Sequence, residues 1–344
     1  MLSWYSTVTM LEKPDVPDEL ILSSLKEEYG LPAREITFLP LGADVNTAVY
    51  RVEARDGTPY FLKLRKGDFD ETGVAVPLFL KEQGIKEIIA PLRTRTGQGW
   101  GRLGDYRMIL HPFIEGENGF HVELPDRLFV ELGQALKGIH SAHAPAELSR
   151  LLPRETFSSQ WREMVRGFQA QVEGAAFEEP VAREMAAFMR ARKDEVLRVV
   201  GRAEELARGL QRRPLQLVLC HADMHSGNLL ITGDGALYIV DWDNPILAPK
   251  ERDLMFINAG IGGVLDGERA EALFYQGYGH VEVDQSALAY YRYERIVQDF
   301  AAYAEELLLT DDGGEDRAQG LEYFKSNFLP DGTIEMADRT GRIR

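Results

Sequence analysis

Within Leu217–Phe256, two short runs set the reading of the whole chain. They are His221-Ala222-Asp223-Met224-His225-Ser226-Gly227-Asn228 and Ile239-Val240-Asp241-Trp242-Asp243, with Asp241 thirteen residues after Asn228. Apolar runs at Leu215–Cys220, Leu229–Ile231 and Tyr238–Val240 read as short strands joined by turns. Each polar group therefore falls at a strand end, where loops display functional side chains. The set is rich in hard oxygen donors. Asp241 offers a carboxylate and Asn228 a carbonyl oxygen to a divalent cation such as Mg2+, which prefers such ligands. Asp223 shares a loop with Asn228, placed to orient a hydroxyl and take its proton.

Those are the parts that phosphoryl transfer requires. ATP brings about four negative charges, and the protein's task is positioning and electrostatic stabilisation rather than covalent chemistry. The pattern H-x-D-x-x-x-x-N, followed by a strand and an Asp, resembles the catalytic loop and metal-binding Asp of kinases. In its detailed form, with Ala222 after the histidine and Asp241-Trp242-Asp243 downstream, it resembles the aminoglycoside phosphotransferase and choline kinase group. The resemblance implies a bilobal α+β fold like that of protein kinases. It also implies Asp223 as catalytic base, Asn228 and Asp241 as metal ligands, and ATP and Mg2+ as cofactors.

Upstream residues fit the same reading. Tyr60-Phe61-Leu62-Lys63-Leu64 alternates and follows an Asp56-Gly57 hairpin signal, so Lys63 is the expected phosphate-pairing lysine. Glu71 near the start of the next helix is its expected partner, with Glu82 the alternative. Gly42–Thr47 is the expected phosphate-covering loop. Gly42 is its only glycine, which leaves the work to backbone N–H groups with Asn46 and Thr47. Met108–Glu115 falls at the hinge, with the adenine edge expected on backbone groups of Pro112, Phe113 and Ile114.

Only eleven residues separate Asp241 from Asp253, too few for the long activation segment of a protein kinase, so a small-molecule acceptor is expected. Pro249–Phe256, Gly277-Tyr278-Gly279, Glu294-Arg295-Ile296-Val297 and Gly84–Ile89 resemble the branch of the family that phosphorylates the aminocyclitol spectinomycin. That implies transfer to a hydroxyl of a cationic antibiotic. Asp243 reads as a second metal ligand, a contact to a cationic substrate, or a loop brace; Asp299 and Tyr303 are possible substrate contacts. Asp253 reads as a helix cap or a brace for the catalytic loop, and His140 and His143 as solvated or capping residues at a helix end. A metabolic kinase of another sugar or amino alcohol, and a silent kinase-like binder, are the alternatives. The second runs against the presence of Lys63, Asp223, Asn228 and Asp241 together.

The rest of the chain frames this. Residues 15–30 read as a helix stopped by Gly30, with strands at Thr37–Leu41, Ala48–Ala54, Tyr60–Leu64, Ile88–Arg93 and Tyr106–Leu110 and a helix at 71–83. Helices dominate after residue 116, apart from the strands around the catalytic loop and an acidic loop at 310–316. A division into residues 1–115 and 116–344 follows. The 344 residues carry a formal charge of −16, and it is uneven: −3 over residues 1–115, zero over 116–220 and −13 over 221–344. Such a field opposes nucleic acid and anionic membrane and favours a cationic small molecule near the C-terminal part. No protein partner is implied. One cysteine, Cys220, excludes a disulfide framework and a multi-thiolate zinc site. With no basic start before Lys13 and no long apolar run, a cytoplasmic enzyme is expected. The absence of a Gly-Lys pair excludes a P-loop.

Overall fold

The computed structural model describes residues 13–40, 46–258, 265, 267–310 and 314–340, with 314–316 as backbone only. The chain begins with helix α1 (Asp18–Tyr29), which ends where Gly30 turns left-handed at φ 66° and its amide returns to Lys26 O. Strands β1 (Ala33–Leu39), β2 (Thr47–Ala54) and β3 (Pro59–Lys66) follow. Helix α2 (Thr72–Glu82) then leads to β4 (Gly101–Leu103) and β5 (Tyr106–Pro112). These five strands make one antiparallel sheet in the order β1-β2-β3-β5-β4. The β2–β3 hairpin turns at Asp56-Gly57, where Gly57 has φ 86°.

The side-chain alternation of strands sorts this sheet into two faces. Tyr50, Val52, Leu62, Leu64, Met108 and Leu110 point one way and form a buried core with Ile21 and Leu25 of α1. The intervening residues, Lys63 with its cross-strand neighbours Val49 and Ile109, take the other face. Lys63 is thus committed to the site face by the same pattern that buries its neighbours.

After β6 (Gly116–Asn118) come the helices α3 (Asp126–Ser141), α4 (Ala146–Leu151), α5 (Gln160–Gly174), α6 (Pro180–Ala191) and α7 (Lys193–Gln211). Short strands β7 (Val218–Cys220), β8 (Leu229–Thr232), β9 (Leu237–Ile239) and β10 (Ile246–Ala248) form two small antiparallel sheets, β6-β8-β9 and β7-β10. Helices α8 (Glu251–Leu254), α9 (Glu268–Tyr278), α10 (Gln285–Leu309), α11 (Gly314–Ser326) and α12 (Thr333–Thr340) complete the described chain. Helix α10 is the spine of this part. Asp284 caps its start by accepting from Ser286 N and Ala287 N, and Tyr290, Tyr291 and Tyr293 are buried along it. Helices α3 and α9 cross so closely that a Cβ on Gly133 would lie 2.1 Å from Phe274 O, and one on Gly277 1.9 Å from Val130 O. Only glycine fits at either position.

The α+β expectation holds, with an antiparallel N-terminal sheet and a helical C-terminal part. Two local expectations change. Residues 88–93 do not form a strand. Pro91 has no amide to donate, and the segment is tied instead by an isolated Ile88–Ile239 bridge and by Leu92 N to Leu110 O (2.7 Å). Residues 158–211 are mostly helical as expected, in three helices, the second opened by Pro180 and capped by Glu179. The acidic loop is shorter than expected, because α11 begins at Gly314; residues 311–313 lie outside the described residues.

Candidate active site

Asp223 and Asn228 lie on the loop between β7 and β8, and Asp241 follows β9. The loop is braced from behind. Asp253, on α8, is fully buried; its Oδ1 accepts from Ala222 N (2.7 Å) and its Oδ2 from His221 N (3.0 Å). His140 Nε2 sits 3.0 Å from the same carboxylate, and His140 Nδ1 lies 2.7 Å from the Tyr278 hydroxyl. Of the two readings for Asp253, the brace is therefore the one realised. His140 is buried rather than solvated, while His143 remains exposed. Burial would raise the Asp253 carboxyl. The His140 bond, the neighbouring histidines and the Ala222 amide outweigh it and hold the group below its ordinary value.

His221 ties the loop to the metal-side strand. Its Nε2 donates to Val240 O (2.9 Å), Asp223 N donates to its Nδ1 (3.2 Å), and its ring meets Trp242 edge-on at 4.6 Å. Trp242 is itself buried, with Nε1 donating to Ile239 O (3.1 Å). Ala222 (φ 72°) and Asp241 (φ 62°) both take the left-handed conformation that disfavours a side chain, so this tight connection stores backbone strain.

Asn228 Nδ2 donates to Asp223 O (2.9 Å). This fixes the amide, so the carbonyl oxygen is the end available to a cation. The Asp241 carboxylate is half exposed, with Lys63 Nζ 3.9 Å from its Oδ1. Two hard oxygen donors beside an open face fit a divalent ion such as Mg2+.

Lys63 has a different partner from the one expected. Its Nζ bonds both oxygens of Asp243 (2.8 and 2.7 Å), and Arg65 reaches Asp243 Oδ2 at 3.1 Å. Glu71 is exposed ahead of the first turn of α2, where its backbone carbonyl accepts from Val74 N and Ala75 N. The alternative, Glu82, pairs with Arg93 (2.7 Å). The reason is packing. Helix α2 starts directly on the Asp241–Asp243 segment, where a Cβ on Gly73 would stand 2.9 Å from Trp242 O. That contact delivers Asp243 to the lysine and leaves Glu71 outside.

Asp223 is engaged unevenly at its two oxygens. Its Oδ1 takes a 2.8 Å ion pair from Arg295 NH1 of α10. Among the described residues its Oδ2 has longer contacts, His225 Nε2 at 3.5 Å and Asn228 Nδ2 at 3.5 Å. Partial burial works to raise this carboxyl, but Arg295, then His225 and His221, hold it well below the carboxylate range. Arg295 Nε also lies 3.2 Å from Asp299 Oδ1, one helical turn on. Burial, opposed by Arg295, pushes Asp299 up to about 6.

Other expected residues are placed as follows. Thr47 opens β2, and Asn46 O accepts from Lys66 N (2.9 Å). Gly42 lies outside the described residues. Pro112 ends β5, Phe113 N donates to Pro59 O (3.3 Å) under the Arg51 guanidinium, and Ile114 follows. Tyr303 packs beside Gly320 of α11, its ring 3.7 Å from where a Cβ there would stand. Sequence reasoning gave no site role to Arg295 or to His225. The only signals were that Arg295 lies in a run shared with the family and stands four residues before Asp299.

A small antiparallel sheet carrying an inward lysine, set against a helical body with two Asp-bearing loops, is the layout of a kinase-like phosphotransferase. A family model described as phosphotransferase enzyme family (APH) matches residues 37–282, and the chain belongs to that family. The spectinomycin phosphotransferase APH(9)-Ia, solved with ADP and spectinomycin, is 35% identical with a TM-score of 0.88. The match covers 96% of this chain and 100% of that one. Protein StrN of Streptomyces griseus is 29% identical over 242 residues, 66% of this chain and 69% of StrN. The amicoumacin kinase hAmiN, solved with AMP-PNP and Ca2+, shares the fold at 16% identity and a TM-score of 0.62, over 94% of this chain and 97% of that one. Among the described residues, no helix is long and apolar enough to cross a membrane.

Proposed function

We propose that the protein phosphorylates a hydroxyl of spectinomycin, using ATP and Mg2+. The observation that carries this reading is the similarity, over nearly the whole chain, to a spectinomycin phosphotransferase solved with ADP and spectinomycin. The −13 charge of residues 221–344 supports a cationic acceptor.

In this reading residues 1–115 form the nucleotide lobe and 116–344 the acceptor lobe. Adenine lies against the backbone at Pro112–Ile114. Lys63 pairs with the phosphates, and the loop from Gly42 to Asn46 and Thr47 covers them. Asp241 and the Asn228 carbonyl oxygen hold Mg2+, which supplies charge neutralisation of the phosphates when bound. Asp223 orients the acceptor hydroxyl and takes its proton. Asp243, bonded to Lys63 and Arg65, keeps the lysine extended into the site until the phosphates compete for it. Asp299 contributes negative charge on the acceptor side, with Tyr303 further along the same helix. ATP as co-substrate and a single buried thiol, Cys220, support the cytoplasm as the location.

The test is ADP release from Mg-ATP by the purified protein. Spectinomycin should stimulate it. Stimulation by choline or sugars and not by spectinomycin would replace this reading with that of a metabolic kinase.

A further inference from the structure

We infer that Arg295 is a positioning residue for the transfer step: it pins one oxygen of Asp223 so that the other faces the acceptor hydroxyl, with Asp299 holding Arg295 in place. This rests on Asp223 being the base.

The two Asp223 oxygens are not equivalent. Oδ1 accepts a charge-assisted bond from Arg295 at 2.8 Å, while the neighbours of Oδ2 stand at 3.5 Å. An aspartate on a loop rotates about its last bond and exchanges its oxygens unless something holds it. A general base must meet the hydroxyl within about 2.6–3.2 Å. A guanidinium suits the task, because it cannot be deprotonated and so never competes for the substrate's proton. The long Oδ2 contacts leave that oxygen the one with capacity to accept.

The guanidinium is fixed in turn. Arg295 and Asp299 are four residues apart on α10, with Nε 3.2 Å from Asp299 Oδ1. Phe256 lies beneath the guanidinium at 5.8 Å, and only 12% of the Arg295 side chain is exposed. His225 supports the other oxygen. Gly227 N donates to its Nδ1 (3.0 Å), which makes Nε2 the protonated nitrogen and directs it at Asp223 Oδ2. The arrangement also solves a charge problem. Arg295 alone would neutralise Asp223 and cancel its attraction for a cationic acceptor. With Asp299 ionised, the cluster of Asp223, Arg295 and Asp299 has a net charge of −1.

The test is steady-state kinetics with Mg-ATP and spectinomycin, beside ADP affinity and Tm for each variant. Arg295→Ala should lower kcat about 10–100-fold, with the acceptor KM within about threefold and ADP affinity unchanged. Arg295→Lys, which keeps the cation beside Asp223 but lacks the second nitrogen that faces Asp299, should recover part of the loss. Because Arg295 acts through Asp223, adding Arg295→Ala to Asp223→Asn should slow turnover by no more than about twofold. Wild-type kcat in Arg295→Ala, a rise in KM alone, or losses that multiply in the double variant would overturn the inference. If Arg295→Ala does not fold, Arg295→Lys and Asp299→Asn decide the matter. Both should be folded and slower than wild type, and wild-type kcat in both would overturn it. Wild-type kcat in Asp223→Asn has a separate meaning: it overturns the assignment of the base, and the inference with it.

Discussion

Asp223 and Asp241 each follow a short strand, each at a left-handed backbone position or next to one, and the protein treats them in opposite ways. The Asp223 loop is held from behind by Asp253, across its width by His221 and Asn228, and at the carboxylate by Arg295. The Asp241 carboxylate is half exposed, and its nearest cation, Lys63 at 3.9 Å, is already bonded to Asp243. One side of the site is assembled without ligand. In the proposed reading, the other is a set of charges whose pairing would change once phosphates arrive. A base gains from being pre-set, since transition-state stabilisation depends on geometry fixed in advance. Groups that take a nucleotide and release a product gain from partners that can be exchanged.

The largest effect should come from the pre-set side. Asp223→Asn should lower kcat by ~10²–10⁴, with ADP affinity by calorimetry unchanged. Loss of ADP affinity instead would erase the division between the two sides. The brace should come next, and it should appear in stability. Asp253→Ala leaves the His221 and Ala222 amides and His140 without their acceptor, which should destabilise the protein by ~3 kcal/mol in denaturant unfolding. The sign of the pH dependence follows. The Asp253 carboxyl is held below its ordinary value in the folded state. Its stabilisation is therefore complete above about pH 4 and is lost as pH falls below that. Over the same acid range the variant should lose less stability than the wild type; parallel curves would show that the brace is not ionic.

The exchangeable side should give the smallest effects. Asp243→Ala removes the ion-pair partner of a lysine about one-sixth exposed and should change the ATP KM by about 3–10-fold. Glu71→Ala should stay within about twofold of wild type, because Glu71 has no part in holding Lys63. A larger effect from Glu71 than from Asp243 would mean that the working pairing differs from the one seen.

Much of this was legible because the signals are local. Asp223, Asn228 and Asp241 sit within nineteen positions of one another, each beside a short apolar run, and Lys63 sits on an alternating strand after a hairpin turn. Gly277-Tyr278-Gly279 and Asp253 were visible as family likeness, and the structure supplies their physics: close helix approach at Gly277, the His140 bond at Tyr278 and two loop amides at Asp253. What escaped was long-range pairing. Lys63 and Asp243 are 180 residues apart, and Arg295 and Asp223 are 72 apart. No periodicity records which of several acidic residues a lysine will reach. Glu71 was the neighbour in sequence, but the start of α2 on Trp242 put Asp243 there instead.

The most direct measurement is mass spectrometry of spectinomycin incubated with the protein and Mg-ATP, beside the Asp223→Asn variant. The account predicts spectinomycin carrying one added phosphoryl group with the wild type, formed ~10²–10⁴ more slowly by the variant. Unmodified spectinomycin with the wild type, or equal product from both proteins, would contradict it.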